Sequence, residues 1–398
     1  MITGYLRSDG RKGVRNHIVV AYLVECAHHV AREVVHPFKE QGVHLIGFSG
    51  CYPNTYSHKM MERLCTHPNV GAVLLVSLGC EGFNKGGLIE AIRTSGRPTK
   101  LVVIQDTGGT RKSIAEGQTW IQQTLRTLQA TPRVDMGLHE LIVGTKCGGS
   151  DATSGLTANP AMGRAFDFLV EQNATCIFEE TGELIGMEHW MAQRAATPEL
   201  GQEIIKTVAK AARYYATMGH ASFAPGNADG GLTTIEEKSL GAYAKSGQSR
   251  ISGIVKPGDV PIVGGLYLMD MIPDGEVRFG FPNINDNAEL AELIACGAHV
   301  LMFSTGRGSV VGSAISPVIK VCANPKTYKR MSDDMDVDAG RILEGRATLD
   351  EVGREIYGLL VEVAGGEPTK SEALGHQEFV LNYKTFEPLG PACFPSAA

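Results

Sequence analysis

Three cysteines stand where parallel strands would end. Cys51, Cys80 and Cys147 each lie next to a glycine, after an apolar strand-like run and before a helical pattern. Strands of one parallel sheet finish on the same edge, which predicts that the three thiols meet in one cleft. Three thiolates can bind one metal ion, or hold three irons of a four-iron–four-sulfur cluster whose fourth iron stays open for substrate. The spacing is equally compatible with three small buried residues at crowded turns.

Two glycine-rich loops are candidates for binding an anion. In the first, adjacent glycines after Cys147 let backbone N–H groups approach an anion closely. In the second, residues 304–309 combine a guanidinium, hydroxyls and free amides at a strand end, which suits bidentate capture of a carboxylate or phosphate. A surface turn with a solvated arginine gives the same pattern. The candidate substrate-binding residues of these loops are Gly148, Gly149, Ser150, Thr305, Arg307 and Ser309.

Several titratable residues beside predicted loops or helix starts are candidates for proton transfer. They are Lys146, Asp151, Glu183, His189 and Lys238. Taken singly, each fits a structural or solvated role better than a catalytic one. Neither glycine-rich loop fits the G-x-G-x-x-G pattern after a first strand or the P-loop with its lysine, so a nucleotide cofactor is not expected.

The elements that must position these residues alternate between apolar strand-like runs and helical patterns. This alternation predicts an α/β fold with mostly parallel sheets, helices on both faces and two Rossmann-like lobes. The composition turns to proline, glycine and asparagine at residues 224–231, where we expect a domain boundary. An N-terminal α/β lobe, residues 1–223, would carry the three cysteine loops. A C-terminal α/β lobe, residues 224–398, would carry the loop around Arg307.

The bulk composition excludes several classes of protein. The chain has 398 residues, a net charge of -6 and a pI near 6.1, so it offers no basic face for nucleic acid or an anionic membrane. No apolar run approaches the ~20 residues of a membrane span, and the basic N-terminus is not a secretory signal. Nine cysteines without such a signal indicate reduced thiols or metal ligands. We therefore expect a cytoplasmic protein.

Specific motifs along nearly the whole chain resemble the altronate and galactarate dehydratase family, which also contains the large subunit of sulfolactate sulfo-lyase. The opening motif ends in Arg15-Asn16, and the resemblance makes these two residues candidates for substrate binding. The other matching motifs are Cys147-Gly148-Gly149-Ser150-Asp151 with Asn159-Pro160, Glu183-Leu184-Ile185-Gly186 with Glu188-His189, Gly230-Gly231-Leu232-Thr233-Thr234 with Glu237-Lys238-Ser239, Thr305-Gly306-Arg307-Gly308-Ser309, Met335-Asp336-Val337-Asp338, and Thr369-Lys370-Ser371-Glu372.

The resemblance implies an iron-dependent lyase that removes water, or sulfite in the sulfo-lyase, from a 2-hydroxy acid to leave a 2-keto acid. Iron would be Fe²⁺ or a four-iron–four-sulfur cluster held by Cys51, Cys80 and Cys147. Arg307, Thr305 and the amides after Cys147 would clamp the substrate carboxylate. Lys238 or His189 would take its α-proton, with Lys146 and Asp151 as further candidates.

The resemblance also bears on partners and on the leaving group. A small β-rich subunit of the SAF type and a homo-oligomer are expected. Residues 375–381 look closer to the sulfo-lyase branch, whereas Cys51 and Cys80 look closer to the sugar-acid branch. Water and sulfite therefore both stay open as leaving groups.

Two readings from other classes also stay open. A non-catalytic scaffold subunit would be inactive even with iron restored and would need its partner. A sugar-acid sensor would bind ligand tightly without turnover and without iron.

Overall fold

The protein is described here by a computed structural model that covers residues 2–219, 222–275, 285–382 and 384. The strands of the described residues are β1 Ile2–Leu6, β2 Lys12–Gly13, β3 His17–Tyr22, β4 Val43–Gly47, β5 Val70–Ser77, β6 Thr99–Val103, β7 Arg133–Met136, β8 Ile142–Cys147, β9 Thr175–Phe178, β10 Ile251–Val255, β11 Gly265–Met269, β12 Val300–Thr305, β13 Val318–Cys322 and β14 Val337–Asp338.

The helices of the same residues are α1 His28–Val35, α2 Thr55–Cys65, α3 Lys85–Thr94, α4 Ile104–Thr107, α5 Thr110–Leu128, α6 Ala158–Glu171, α7 Glu188–Gln193, α8 Pro198–Met218, α9 Pro225–Asp229, α10 Ile235–Ala244, α11 Asp286–Ala295, α12 Pro325–Arg330, α13 Leu349–Gly365 and α14 Lys370–Ala373. They fall into two compact units, one built mainly from residues 5–132 and the other mainly from residues 133–272 and 285–378.

The unit of residues 5–132 contains a parallel sheet of four strands in the order β4-β3-β5-β6. All eight residues of β5, a run of valine, leucine and small residues, are buried. Such a continuous apolar strand is expected where helices cover both faces of a parallel sheet. Val20 on β3 is paired with Leu45 and Leu74, and the helices α1 and α5 contribute Val34 and Ile121 to the same core.

The other unit contains a parallel sheet of seven strands in the order β10-β11-β9-β8-β12-β13-β14. Strand β8 lies near its centre, between β9 and β12. The register pairs Phe303 of β12 with Lys146 on one side and with Lys320 on the other, so these three side chains share one face of the sheet. A third, short sheet has the order β2-β1-β7.

The α/β class and the parallel sheets with flanking helices are confirmed. The compact units divide near residue 132, whereas the sequence placed a boundary at residue 223. The difference arises because β8 and β9 pair into the same sheet as β10 to β13, which follow the proline- and glycine-rich stretch. Among the described residues, no helix combines the length and the apolar composition that crossing a bilayer requires.

The premise that one sheet carries all three cysteine loops is wrong. Cys51 follows β4 and Cys80 follows β5, both in the four-stranded sheet, whereas Cys147 ends β8 in the seven-stranded sheet. A strand-like run before each cysteine reveals that a strand is present but not which sheet it joins. The meeting of the three thiols stays a prediction.

Candidate active site

A cluster of charged side chains is buried at the carboxyl ends of β8 and β9. The ammonium group of Lys146 lies 3.2 Å from Glu179 Oε1 and contacts carboxylate oxygens of Glu180 and Glu289. All four side chains are buried. Asp286, which is more exposed, lies 3.7 Å from the same nitrogen. Taking such charges out of water is tolerated only when they neutralise one another at close range.

The thiol of Cys147 extends the cluster. Its Sγ lies 3.1 Å from Glu180 Oε2 and 3.4 Å from Glu183 Oε2. Ser150 Oγ and the ammonium group of Lys245 donate to the sulfur at 3.4 and 3.3 Å. Below, the name buried charge cluster denotes the following eight residues: Lys146, Cys147, Glu179, Glu180, Glu183, Lys238, Lys245 and Glu289.

Glu180 connects the two halves of the cluster. Its Oε1 contacts Lys146, and its Oε2 contacts Cys147 and Lys245. Its backbone is left-handed, with φ 85° and ψ 48°. A residue other than glycine adopts this backbone conformation at a cost of about 1 kcal/mol or more, and such strain concentrates at functional sites. The turn after β9 therefore holds this carboxylate in place against a local backbone preference.

Helix α10 supplies the two lysines that close the cluster. The Thr234 side chain caps its first turn by accepting from Glu237 N–H at 3.2 Å. Lys238 lies within the helix, and its ammonium group is 2.5 Å from Glu183 Oε1 and donates to Ser222 O at 2.7 Å. Lys245 follows the last residue of the helix and is completely buried.

Two glycines allow α10 to approach the loop after Cys147. A Cβ atom on Gly155 would lie 2.8 Å from Gly241 Cα, and one on Gly241 would lie 3.0 Å from Gly155 Cα. The amide of Asn159 fixes this approach by donating to Gly241 O at 2.9 Å. Because neither position carries a side chain, the backbone of α10 can lie directly against the loop after Cys147.

The surroundings separate the pKa values of the acids. Burial raises the pKa of Glu179, although Lys146 and Lys245 oppose the shift. Burial also acts to raise the pKa of Glu183, but Lys238 and Lys146 outweigh it, so that pKa is lowered. Glu179 is thereby favoured as the carboxyl that keeps its proton, and Glu183 as the carboxylate anion. A difference of this kind between two acids is a typical basis for assigning acid and base roles.

The lysines and the thiol are also shifted. Burial alone would lower the pKa of Lys146, but Glu179 and Glu289 raise it well above its usual range. Burial lowers the pKa of Lys245 despite the opposing effects of Cys147 and Glu179. Burial, with a smaller contribution from Glu183, raises the pKa of the Cys147 thiol. Lys146 is therefore a fixed cation, whereas Lys245 is the lysine that can most readily be neutral.

The cluster contains two sets of side chains that could hold a cation. Ligand atoms of Cys147, Glu180 and Glu183 lie within 4.8 Å of one another, as do those of Glu179, Glu180 and Glu289. Lysine ammonium groups contact several of the same oxygens. The arrangement can therefore store protons on its lysines and acids, or bind a metal ion where a lysine moves aside or gives up its proton.

The cluster brings together several residues that the sequence singled out, Lys146, Cys147, Glu183 and Lys238, and Ser150 donates to its thiol. Asp151, predicted for proton transfer, is buried but fully engaged. Its Oδ1 accepts from Thr153 N–H at 2.9 Å, and its Oδ2 accepts from Asn324 Nδ2 at 2.9 Å. These bonds make it the organiser of the loop after Cys147.

The two glycine-rich loops are adjacent. Gly149 O accepts from the N–H groups of Gly306 and Arg307 at 3.2 and 2.9 Å. A Cβ atom on Gly148 would lie 2.4 Å from Phe303 Cζ, so only glycine fits there. Thr305 is completely buried, and its Oγ1 accepts from Gly308 N–H at 3.0 Å. The two loops thus form one hydrogen-bonded rim.

The remaining candidates of this unit lie at exposed or half-buried positions. Arg307 is exposed and donates to Gly226 O at 3.0 Å. Ser309 is half-buried, with its Oγ accepting from Val311 N–H at 3.2 Å. His189 is exposed on α7. Their roles in substrate binding and proton transfer stay predictions.

Arg15, Asn16, Cys51 and Cys80 belong to the other unit. Asn16 Oδ1 accepts from Arg7 at 2.7 Å, and its Nδ2 donates to Leu128 O at 3.1 Å. Arg15 donates to Val14 O at 2.9 Å. Both cysteines are exposed, and their loops are joined by a bond of 2.8 Å from Gly82 N–H to Cys51 O. Their predicted roles in substrate and metal binding stay predictions.

Four members of the cluster were not among the predicted site residues. Glu180 follows a buried strand directly, together with Glu179, and adjacent acids at a strand end are a usable signal. Lys245 and Glu289 carry no such signal, because each lies in or beside a helix and follows no strand. Only the packing of α11 against β8 and of α10 against α6 reveals them.

Comparisons with known proteins agree with this geometry. Residues 138–386 match the family described as D-galactarate/altronate dehydratase, C-terminal, and residues 4–129 match the second domain of D-galactarate dehydratase/altronate hydrolase. The chain is similar to the (2R)-sulfolactate sulfo-lyase subunit beta of Chromohalobacter salexigens, with 35% identity over 95% of this chain and 96% of that protein.

The chain is also similar to the altronate dehydratase of Bacillus subtilis, with 29% identity over 95% of this chain and 76% of that enzyme. Galactarate dehydratase (L-threo-forming) of Escherichia coli is 33% identical over 78% of this chain and 59% of that enzyme. With family matches over both units and a 35% identical relative covered almost throughout, the chain belongs to the D-galactarate/altronate dehydratase family and is an enzyme of the hydro-lyase class.

Proposed function

We propose that the protein is an iron-dependent lyase that removes water from a sugar acid or another 2-hydroxy acid and releases a 2-keto-3-deoxy acid. The observation that carries the proposal is the buried charge cluster at the carboxyl ends of β8 and β9. It combines proton donors, proton acceptors and a thiol in the place where α/β sheets bind their ligands. Removing an α-proton and a β-hydroxyl needs all of these functions close together.

The side chains present fit a single divalent ion. A sulfur and two carboxylates, those of Cys147, Glu180 and Glu183, offer mixed donors within reach of one ion, and such a set is compatible with Fe²⁺. A four-iron cluster would also need Cys51 and Cys80. When bound, the iron would supply Lewis-acid stabilisation of the charge that develops on substrate oxygens.

Lys245 is the proposed base. Burial lowers the pKa of its ammonium group, which favours the neutral amine that can accept the α-proton. Lys238 and His189, the candidates from the sequence, stay open as alternative bases. Lys238 is held by Glu183 Oε1 at 2.5 Å and by Ser222 O at 2.7 Å, and His189 is exposed. The Lys238–Glu183 pair also orients the Cys147 loop.

Glu179 is the proposed proton donor to the leaving oxygen. Burial raises the pKa of this carboxyl even though Lys146 lies 3.2 Å away, so it retains its proton more readily than an exposed acid. Its other oxygen, Oε2, has no hydrogen-bond partner in the described part of the chain. The amides of the loop after Cys147 and the guanidinium of Arg307 are the proposed clamp for the substrate carboxylate.

Elimination of sulfite is the second candidate reaction. It is favoured by the 35% identity to a sulfo-lyase subunit of which 96% is covered, compared with 29% identity to an altronate dehydratase. Because that relative is named a subunit, we also propose that a separate small subunit, β-rich as the family resemblance implies, completes the enzyme.

The deciding experiment is a product assay on anaerobically purified, iron-loaded protein. Altronate, galactarate and (2R)-sulfolactate are supplied in parallel, and both 2-keto acid and sulfite are measured. Release of 2-keto acid without sulfite supports the dehydratase, whereas sulfite from sulfolactate supports the second candidate. Iron-loaded protein that releases neither product from any of the three, alone and with the small subunit added, would overturn both.

The metal proposal has its own test. Replacing Cys147 by alanine removes the only sulfur of the proposed ligand set, and we expect bound iron per chain and turnover to fall by about 100-fold or more at limiting iron. The matched control is Cys176→Ala, on the neighbouring strand β9, where a buried thiol touches Phe166 O at 3.9 Å. Iron content that stays unchanged in Cys147→Ala would remove the thiol from the metal site.

A further inference from the structure

A cavity in the unit of residues 5–132 belongs to none of the chemistry above. It has a volume of about 340 Å³ and is lined by residues 6–8, 71, 95–98, 127–128 and 130–132. This volume is at the lower end of the ~300–1,000 Å³ that small-molecule sites span. Its lining includes Gly71, the second residue of β5, and the turn before β6. It therefore lies at the amino edge of the four-stranded sheet, opposite the edge where the loops of Cys51 and Cys80 begin.

Two buried guanidinium groups line this cavity. Arg7 is 6% exposed and Arg97 is 4% exposed. Arg97 lies 3.2 Å from Asp9 Oδ2, an oxygen that Arg11 also contacts at 2.6 Å. Asp9 thus forms ion pairs with Arg97 and Arg11, whereas the hydrogen bonds of Arg7 go to neutral oxygens. The cavity wall thus carries an excess of positive charge.

Arg7 has donors to spare. Its three nitrogens donate to Pro68 O at 2.6 Å, Asn16 Oδ1 at 2.7 Å and Arg15 O at 2.8 Å. Since a guanidinium has five N–H bonds, one on each terminal nitrogen has no acceptor in the described ranges. Burial and the neighbouring Arg97 lower the pKa of Arg7 to about 9. Its charged form therefore lacks stabilisation that an anion could provide.

The rest of the lining fits the body of a small organic acid. Thr131 Oγ1 accepts from Asn16 Nδ2 at 3.3 Å, so its own hydrogen can be donated to a ligand. Leu6, Pro98 and Leu128 line the cavity with apolar atoms. A guanidinium and a hydroxyl beside an apolar wall match a carboxylate on a short hydrocarbon chain better than an inorganic anion.

We propose that this cavity is a binding site for a small aliphatic carboxylate, separate from the lyase site. The carboxylate contacts the edges of Arg7 and Arg97, and its chain packs on Leu6 and Leu128. The site occupies the edge of the sheet opposite to the usual catalytic edge, which is where a ligand can bind without taking part in the reaction.

The test uses butyrate, which has the carboxylate and the apolar chain but no hydroxyl for the lyase site. Binding to the full-length protein is measured by isothermal titration, with neutral butyramide as the matched probe. We expect butyrate to bind with one site per chain and butyramide to bind at least about tenfold more weakly, because the guanidinium groups select the charge.

The decisive variant is Ala130→Glu, at an exposed position of the cavity lining. It adds a negative charge beside the ligand without touching the arginine bonds, so butyrate affinity is expected to fall about tenfold or more. Gln122→Glu adds the same charge at an exposed position of α5 outside the lining and leaves the affinity unchanged. Absent butyrate binding, or binding that is equal in wild type and Ala130→Glu, would overturn the proposal.

Discussion

The two units of this chain bury charge in opposite ways. In the seven-stranded unit, lysines and glutamates neutralise one another within the buried charge cluster. In the four-stranded unit, Arg7 and Arg97 are stabilised mainly by neutral backbone oxygens, such as Pro68 O at 2.6 Å and Val70 O at 2.9 Å. In the first arrangement both partners of each pair can titrate. In the second, the arginines are bonded to backbone oxygens that do not titrate.

This difference has a functional meaning. A carbonyl oxygen cannot gain or lose a proton near neutral pH, so arginines tied to carbonyls stabilise the fold and offer a constant positive charge. Ammonium and carboxyl groups in contact can exchange protons, and small changes around them move their pKa values. Loss of charge should therefore cost mainly activity in one unit and mainly stability in the other.

The largest expected effect is that of Lys245→Met. If Lys245 takes the α-proton, kcat/KM should fall by ~10²–10⁴-fold. Folding stability should fall as well, because the buried Glu180 carboxylate loses its contact with this ammonium group. The matched control is Lys320→Met, since Lys320 is also completely buried and burial lowers its pKa as well. Equal losses of activity in the two variants would remove Lys245 from the chemistry.

The pH profile gives a second readout of the same residue. The base must be neutral, so kcat/KM is expected to rise with pH through the lowered pKa of Lys245. At higher pH it should fall again as Glu179, the proposed proton donor, loses its proton. Lys245→Arg keeps a positive charge that does not titrate in this range, so its residual activity should lack this rise.

The intermediate effect is expected in the other unit. Arg7→Met removes the donor to Pro68 O, Asn16 Oδ1 and Arg15 O, and the free energy of unfolding should fall by about 3 kcal/mol because these acceptors lose their partner. Chemical denaturation measures the loss. Arg126→Met, at an exposed position in the last turn of α5, should stay within about 0.5 kcal/mol of wild type. A loss below about 1 kcal/mol for Arg7→Met would contradict the structural role of these bonds.

The smallest expected effect is on the pH dependence of folding stability, through Lys320, a buried lysine outside the buried charge cluster. Burial lowers the pKa of Lys320, so between that value and the ordinary value near ~10.4 the unfolded chain binds more protons than the folded one. Wild-type stability should therefore rise with pH across this window, by up to about 1 kcal/mol per pH unit. Lys320→Met should lose this rise, as measured by urea unfolding at pH 7 and pH 10. Parallel pH profiles of the two proteins would show that Lys320 titrates normally.

The sequence predicted local features of both units well. The strand that ends at Cys147 was expected, because an apolar run before a glycine is a strong local signal. Strand β10, Ile251–Val255, was not expected. It is short, its three middle residues are exposed or partly buried, and it contains Gly253, so its pattern is weak.

Long-range features could not be predicted in the same way. The partners of Lys146 come from β9 and from α11, which only the order of the strands brings together. For the same reason Cys51 and Cys147 were expected on one sheet and lie on two. Some residues of the site could thus be identified from the sequence. Their pairing, which sets their pKa values, could not.

The contact between Gly155 and Gly241 limits how this enzyme can vary. With no Cβ on either side, the spacing between α10 and the cysteine loop is set by main-chain atoms alone. A methyl group added at either glycine would push α10 away from this loop, and Lys238 and Lys245 would move with it, away from Glu183 and Cys147. The presence or absence of a Cβ atom at Gly155 or Gly241, neither of which carries a reactive group, therefore determines whether acid, base and thiol stay within reach of one another.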